Sequence, residues 1–439
     1  MTTLADPTSG HPPRSLLANR SYLLVMSGLT AQAFGAGMAA FAVPLLAYAV
    51  TGSVWQAGVI SAVGHAGALL ATLPAGVVAD RVDRRRLVVV AATVAALAWA
   101  SGAVAVLAGT LGAWHLMALL LVSSVAGSFV DPAVAGAFRS VVPQDQLATA
   151  YAAAQGRDAA AGLAAGPIGG LLYGIAHAVP LVAGAVGHLM TALCTWLVRE
   201  PLHADLAEAR GTRPLAALRE GLRYVWSVPL FRICLGLFAV INVAINALLV
   251  AITLDLTADG TPAAQIGLLS GTAGASMLVG ALLAPAVVAR VRVGVVTPLS
   301  LAMVAVSAVV MAATQDFVVL VVALGLGVLG VPAANAGLAG YVAAITPPQM
   351  QGRLSSVLEL SGVVALPSAP LVGAGLLASA GLPTTLVVLA GVLGVAVVGV
   401  WCARPVRRIG LPASWADDAI EVVRPPLGHG AGAPGPTEA

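Results

Sequence analysis

Long apolar runs separated by short polar loops occupy most of the chain. A run of about 20 apolar residues is long enough for an α-helix to cross the hydrocarbon of a membrane. The pattern predicts twelve such helices, over residues 22–49, 54–79, 87–109, 113–138, 148–175, 178–198, 230–255, 264–289, 294–313, 317–345, 353–379 and 382–402. The long polar segment 199–229 divides them into two sets of six. We therefore expect an all-α membrane protein with two pseudo-symmetric halves, 22–198 and 230–402.

The composition excludes most soluble classes of protein. Of the 439 residues, 59% are apolar and 9% are charged, whereas a soluble domain has about 25% charged residues. So few polar groups cannot cover the surface of a water-soluble globule. The same composition excludes a disordered protein and a nucleic-acid-binding protein. The partner that it requires is a lipid bilayer.

Three segments lie outside the two predicted bundles. Residues 1–21 are polar, and the apolar run after them is too long for the core of a cleaved signal, which has roughly 7–15 residues. In the linker 199–229, Pro214 can begin a helix with separate apolar and charged faces, as in helices that lie on a membrane surface. The tail 403–439 is rich in Pro and Gly and is expected to be disordered.

The arginines predict the orientation of the chain. All 21 basic residues are Arg. Sixteen of them fall in loops on one side of the predicted membrane or just beyond the last helix, at Arg81, Arg84, Arg85, Arg86, Arg139, Arg199, Arg210, Arg213, Arg219, Arg223, Arg290, Arg292, Arg353, Arg404, Arg407 and Arg408. Because positively charged loops stay in the cytoplasm, we expect both termini to be cytoplasmic and the protein to lie in the cell membrane.

The loop after the second predicted helix carries a motif. It reads Gly76-Val77-Val78-Ala79-Asp80-Arg81-Val82-Asp83-Arg84-Arg85-Arg86. This resembles the signature loop of the major facilitator superfamily, with Asp83 in place of the family's second Gly. The resemblance implies a twelve-helix transporter whose loop acts as a cytoplasmic gate, with Asp80 against the start of the eleventh helix. The predicted gating residues are Gly76, Asp80, Arg81, Arg84, Arg85 and Arg139, although Arg139 can equally be an exposed anchor.

The fifth predicted helix contains a Gly-Pro motif, whose main residues are Gly162, Gly166, Pro167 and Gly170. It resembles the Gly-Pro signature that exporters of the same superfamily carry in this helix, where it permits a bend. Taken alone, such a stretch is also typical of a helix-packing face, since small residues let helices approach closely. Segments 143–147 and 220–224 resemble the enterobactin exporter and macrolide efflux branch of the family.

Four ionisable residues fall inside the predicted helices: Asp131, Arg157, Asp158 and Glu359. At mid-bilayer each costs at least about 2.5–3.5 kcal/mol, so each needs a partner, water or a function. Asp131 and the Arg157-Asp158 pair are predicted at similar depth, but neighbours on a helix point apart, so Arg157 and Asp158 are not expected to face the same spot. Arg157 can exchange between the aspartates as one takes up a proton, it can form a static ion pair, or the group can contact the substrate directly. Glu359 is expected to carry a proton or to close the gate with a loop arginine.

Neutral polar residues suggest a binding pocket. In the resembled fold, the helices around the central cavity carry six candidates for substrate binding: Gln32, Tyr151, Gln155, Asn242, Asn246 and Asn335. Each of them can instead form a hydrogen bond between helices. His65 is a candidate titrating group, and His188, on the sixth helix, receives no role.

These observations predict a secondary active transporter that exports a small amphipathic molecule in exchange for protons. The sequence contains no P-loop, no HExxH or GxSxG motif and no Cys/His metal cluster, so neither an enzyme nor a cofactor or metal is expected. The expected partners are the bilayer, the cargo and protons, and the protein is expected to be a monomer. Two alternatives stay open: an importer on the same fold, and a membrane sensor or assembly partner that moves no cargo.

Overall fold

The computed structural model describes residues 16–79, 81–200, 202, 214–314, 316–347, 350–351, 354, 357–358, 362 and 364–418. The first half contains the helices α1 (Arg20–Thr51), α2 (Val54–Ala79), α3 (Arg84–Leu107), α4 (Ala113–Val141), α5 (Leu147–Ile175) and α6 (Val179–Leu197). Helix α7 (Pro214–Ser227) follows at the position of the predicted surface helix. The second half contains α8 (Pro229–Ala258), α9 (Ala263–Arg290), α10 (Val293–Ala312), α11 (Phe317–Val328), α12 (Val331–Ile345) and α13 (Ser368–Cys402), and α14 (Arg404–Arg407) comes after it.

Ten segments within the described part are long and apolar enough to cross a membrane. Helices α11 and α12 together form one of them, the predicted span 317–345. Helix α5, with 29 residues, is not one of these ten, but at 1.5 Å per residue it is about 43 Å long, which is enough to cross the hydrocarbon. Helix α13 breaks at Gly381, whose φ of 73° lies in the left-handed region that favours glycine. Its two arms fall on the predicted eleventh and twelfth spans, so the helices are consistent with twelve.

Two helix starts are set by short polar side chains. The Asn19 side chain accepts a hydrogen bond from the amide of Tyr22 at 3.1 Å and begins α1. The Asp83 carboxylate accepts from the amides of Arg85 and Arg86, at 2.8 and 3.4 Å, and begins α3. Such caps satisfy amides that have no partner within the helix. Asp83, which stands in place of the second Gly of the family's loop motif, therefore serves as the N-cap of α3.

Each half is a bundle of closely packed helices. In the first half, α1 packs against α5 and α6, and α4 packs against α2 and α3. In the second half, α13 packs against α8 and α10, and α9 packs against α11 and α12. Glycines permit the close approaches, since a Cβ at Gly187 would lie 2.5 Å from the carbonyl oxygen of Ala31 across the α1–α6 contact.

The two halves meet mainly at one end of the bundle. We call the end that holds Arg81, Arg290 and Arg404 the basic end, and the other the opposite end. A buried apolar cluster near the opposite end contains α1 residues 42–47, Ala251 and Leu254 of α8, and Ala374 and Leu377 of α13. A second buried apolar cluster lies near the basic end. All of its described members come before α7 in the chain, so none of them belongs to the second half. Among the residues that the structure describes, the contacts between the halves therefore lie toward the opposite end.

The beginning of the predicted disordered tail is folded. A 3-10 helix over Pro412–Asp418 follows α14. The Trp415 ring packs edge-on against Tyr341 of α12, with 5.9 Å between ring centroids, and the Tyr341 hydroxyl donates to Asp418 at 3.1 Å. The expectation of disorder is wrong for residues 404–418, because an aromatic anchor binds this segment to α12. Residues 419–439 lie outside the described part.

Candidate functional site

A cavity of about 450 Å³ lies where the two halves meet, a size that suits a small organic molecule. Helices α1, α2, α4, α6 and α8 line it, together with single residues of α3 and α13. Most of the lining side chains are apolar or small. The larger polar and aromatic contributions come from His65, Trp99, Ser123, Ser124, His188 and Asn246. This wall can hold an amphipathic molecule through apolar contact and a few hydrogen bonds.

His188 lines this cavity although the sequence assigned it no role. Its side chain is buried, and Nδ1 lies 2.8 Å from the carbonyl oxygen of Gly184. Because a carbonyl only accepts, Nδ1 carries the proton, and Nε2 of a neutral ring is then an acceptor. A histidine on a helix taken to be peripheral has no sequence signal that distinguishes it from a packing residue. The cavity wall, which extends into the first half beside Trp99, shows its position.

The two predicted asparagines of α8 share one face of the helix. Asn246 lines the cavity. Its Nδ2 donates to the carbonyl of Asn242 at 2.9 Å, and the Asn242 side chain donates to Phe238 at the same distance. These bonds within the helix hold the amides in place. They leave each side-chain oxygen as an acceptor.

Asn242 and the other four predicted binding residues are not among the described residues that line the cavity. The Oε1 atom of Gln32 is buried without a hydrogen-bond partner in the described structure. The Tyr151 ring packs edge-on against Phe138 at 5.8 Å, near the basic end. Gln155 and Asn335 are exposed, on α5 and α12. These side chains are therefore placed apart from the polar groups of the cavity.

Arg157 and Asp158 form an ion pair with each other. The Arg157 Nη2 and Nε atoms donate to Asp158 Oδ1 at 2.8 and 3.1 Å. The expectation that these neighbours cannot face the same spot is wrong, because the long Arg side chain turns back along α5. The Arg157 side chain is 15% exposed and that of Asp158 is 52% exposed. The Nη1 atom also lies 3.7 Å from the sulfur of Met26 on α1.

Asp131 of α4 lies within electrostatic range of both members of this pair. Its side chain is exposed, as is that of Asp158. The structure thus brings together three of the four predicted charges, with Arg157 bonded to one aspartate and close to another. The fourth, Glu359, lies outside the described residues.

The predicted gating residues have different surroundings. Asp80 and the side chain of Arg139 lie outside the described part, and Arg81 is exposed. The Arg84 guanidinium passes directly over Gly136 of α4, where any Cβ would meet it. A Cβ at Gly76 would meet nothing within 4 Å. In this conformation, Gly76 is therefore not needed for close packing.

Arg85 joins a small polar cluster within the first half. Its Nη2 donates to the carbonyl oxygen of Glu200 at 2.7 Å. The Ser21 hydroxyl donates to the Glu200 carboxylate, and this bond is the main reason why the pKa of Glu200 is lowered, with a smaller contribution from the charge of Arg85. The cluster connects the starts of α1 and α3 to the segment after α6.

The Gly-Pro motif forms the contact between α5 and α9. A Cβ at Gly166 would lie 2.7 Å from the Cβ of Ser270, and one at Gly170 would meet the Ala263 carbonyl. Pro167 fills the space beside Gly271, whereas Gly162 has no neighbour within 4 Å of a Cβ. Gly166, Pro167 and Gly170 therefore form a helix-packing face. The residues of α9 in this contact, Gly267-Leu-Leu-Ser-Gly271, were not predicted from the sequence. Their Gly-xxx-Gly spacing is nevertheless typical of a helix-packing face.

Comparison with protein families and curated proteins gives consistent matches. The profile of the Major Facilitator Superfamily matches residues 25–254. The multidrug efflux pump Tap of Mycolicibacterium fortuitum is 32% identical over 48% of this chain and 53% of its own length. Macrolide efflux protein A of Enterococcus faecalis is 24% identical over 47% of this chain and 65% of its own. The matched region thus spans less than two thirds of either relative.

Solved structures with this fold match over nearly the whole chain. A bacterial homologue of the iron transporter ferroportin in an inward-facing state has a TM-score of 0.67 at 19% identity, covering 89% of this chain and all of its own. A bacterial homologue of the human lysosomal transporter Spinster, also inward-facing, has a TM-score of 0.69 at 15% identity and covers 94% and 100%. At these identities the likeness shows the fold.

Proposed function

Because the chain belongs to the Major Facilitator Superfamily, we propose that it is a secondary active transporter that exports a small amphipathic molecule in exchange for protons. In this proposal, cargo enters the cavity between the halves. The halves then rock about the cavity, so that it opens alternately to each side of the membrane. The observation that carries the proposal is the Asp131–Arg157–Asp158 cluster, three ionisable side chains close together on membrane helices α4 and α5.

The direction of export rests on two observations. The arginine-rich loops indicate that the basic end is cytoplasmic, and the described contacts between the halves lie toward the opposite end, an arrangement that would give cargo access from inside the cell. The two efflux proteins that match the chain support the same direction. The cargo class follows from the cavity, whose wall combines apolar residues with imidazole, indole, hydroxyl and amide groups.

Coupling to protons follows from the geometry of the ion pair. Arg157 is held by Asp158 and lies near Asp131. When a proton neutralises Asp158, the attraction that holds Arg157 is lost, and Asp131 becomes the nearer carboxylate for the guanidinium. This exchange changes the contacts between α4, α5 and α1. A proton taken up from outside would thus be linked to the rocking of the first half.

The test uses the purified chain in proteoliposomes with a radiolabelled macrolide as the probe. We expect the wild type to accumulate the probe when the lumen is made acidic and to lose this uptake with a protonophore. The variant Asp131→Asn should reduce gradient-driven uptake at least about tenfold, as expected for loss of a charge in the coupling cluster. Its exchange of probe without a gradient should persist.

Asp145→Asn is the matched control, since Asp145 is exposed in the short 3-10 helix before α5 and does not line the cavity. This variant should behave like the wild type. Uptake that is indifferent to the gradient in the wild type contradicts proton antiport. Probe movement together with protons instead shows import, and no movement of any tested cargo supports a protein that does not transport.

A further inference from the structure

A second, larger space lies away from the cavity, on the surface of the second half. This groove has a volume of about 720 Å³ and lies between α7, α8 and α13. Its wall contains Leu222 and Trp226 of α7, Gly236 and Val240 of α8, and Leu389 and Val392 of α13. It shares no lining residue with the cavity between the halves. The groove is therefore a separate feature of the molecule.

Arg232 is the charged residue among the described residues that line this apolar groove. Arg232 is the fourth residue of α8 and is exposed, and no carboxylate pairs with it among the residues that the structure describes. An arginine at the end of a membrane helix must direct its guanidinium to the interface or find an anion there. Phosphate is the anion that a guanidinium binds best, through two parallel N–H bonds.

The groove extends along α8 from Arg232 to Ala244. These positions are twelve residues apart, or about 18 Å at 1.5 Å per residue. One leaflet of the hydrocarbon is about 15 Å thick. A space of this length, beginning at the arginine, matches one acyl chain that hangs from a headgroup at the interface. At Gly236 a Cβ would meet nothing within 4 Å, so the glycine keeps the groove open.

Helix α7 places the headgroup end of the groove at the membrane surface. Val225 is fully buried against the second half, whereas Arg219 and Arg223 are exposed. Trp226 is 58% exposed and lies on the groove, as tryptophans do at the level of lipid headgroups. Exposed arginines on an amphipathic helix attract anionic lipids.

We propose that this groove binds one anionic phospholipid, with the phosphate at Arg232 and one acyl chain along α8. The site is independent of the proposed transport function. Phosphate, rather than a cargo group, is the ligand, because the described residues of the lining offer one guanidinium above an apolar wall.

The test is native mass spectrometry of the full chain, titrated with phosphatidylglycerol and with phosphatidylcholine of the same acyl chains. The wild type should retain one phosphatidylglycerol per chain in preference to phosphatidylcholine. Arg232→Gln should weaken phosphatidylglycerol binding roughly tenfold, the loss expected for a hydrogen bond to a charged group. Gly236→Leu should fill the groove and reduce the binding of both lipids. Glycerol phosphate, which has no acyl chain, should not compete at equal concentration.

Two matched variants distinguish the loss of this site from the general effects of removing an arginine or adding a leucine. Arg290→Gln removes an exposed arginine of the same end, and Gly394→Leu adds the same side chain on α13 where a Cβ also meets nothing. Both should bind phosphatidylglycerol like the wild type. The proposal is overturned if Arg232→Gln binds normally, if Arg290→Gln is weakened equally, or if the wild type shows no preference for the anionic lipid. Equal competition by glycerol phosphate would show a simple anion site and would also overturn it.

Discussion

Single side chains at the basic end show what local chemistry adds to a helical bundle. Ser21 and Glu200 lie 179 positions apart and bond to each other beside Arg85. Arg157, in contrast, bonds to its immediate neighbour Asp158. In both cases the length and flexibility of the side chain decide the partner. The helical spacing of the backbone positions does not.

The Ser21 bond predicts a dependence of stability on pH. The pKa of Glu200 is lowered in the folded protein. The bond therefore stabilises the fold above the ordinary glutamate pKa of about 4.3, and this stabilisation is lost as the pH falls through the lowered pKa. Ser21→Ala should lower the melting temperature in detergent at pH 7, by an amount that corresponds to less than about 1 kcal/mol because Glu200 is exposed. The difference should shrink as the pH falls and Glu200 takes up a proton.

Ser140→Ala is the control for this measurement. The Ser140 hydroxyl donates to the Gly136 carbonyl and involves no carboxylate. Its effect on the melting temperature should not change with pH. A Ser21→Ala difference that does not shrink while Glu200 is protonated would contradict a role for the Glu200 charge.

At the scale of helices, α5 illustrates how one element serves two purposes. Its part near the basic end carries Arg157 and Asp158, and its part near the opposite end carries the glycines that contact α9. Gly166 and Gly170 face Gly267 and Gly271, so a Gly-xxx-Gly pair on each helix forms the contact. Helix α5 can therefore connect the charged residues at its one end with the contact between the halves at its other end.

Glycines at different positions along α5 should respond differently to the same substitution. In Gly170→Val, the new side chain meets the Ala263 carbonyl, and overpacking of this kind costs typically 1–3 kcal/mol. The variant should melt at a lower temperature and lose transport of the macrolide probe. Gly162→Val adds the same side chain where a Cβ meets nothing. It should stay within about 0.5 kcal/mol of the wild type, and equal loss in both variants would contradict the assigned contact.

For the whole molecule, the join between the halves at the opposite end determines which side is open. The α2–α13 part of this join passes through Gly58, where an added Cβ would meet the Ala374 side chain and the Pro370 carbonyl. The α5–α9 contact forms the other part. Alternating access requires both contacts to separate while the basic end closes.

A reversible cross-link tests this requirement. In a chain with Gly58→Cys and Ala374→Cys, the two Cβ atoms lie close enough for a disulfide after a small outward shift. Cys402→Ser removes the exposed native thiol, while Cys194 and Cys234 are buried. Oxidation should abolish transport in proteoliposomes and a reducing agent should restore it. Each single-cysteine variant should be insensitive to oxidation, and transport by the oxidised double variant would show that this contact need not open.

The sequence by itself determined the helices and the family, because apolar runs of membrane length and the loop motif Gly76–Arg86 are local signals. It also identified Asp131, Arg157 and Asp158, since a charge inside an apolar run is conspicuous at any position. Only the tertiary structure showed that Arg157 pairs with its neighbour, that His188 and Trp99 reach the cavity, and that Trp415 anchors the start of the tail. Those outcomes depend on side-chain direction and on contacts between residues far apart in the chain. A hydropathy pattern carries information about neither, because nearly every face of these helices is apolar.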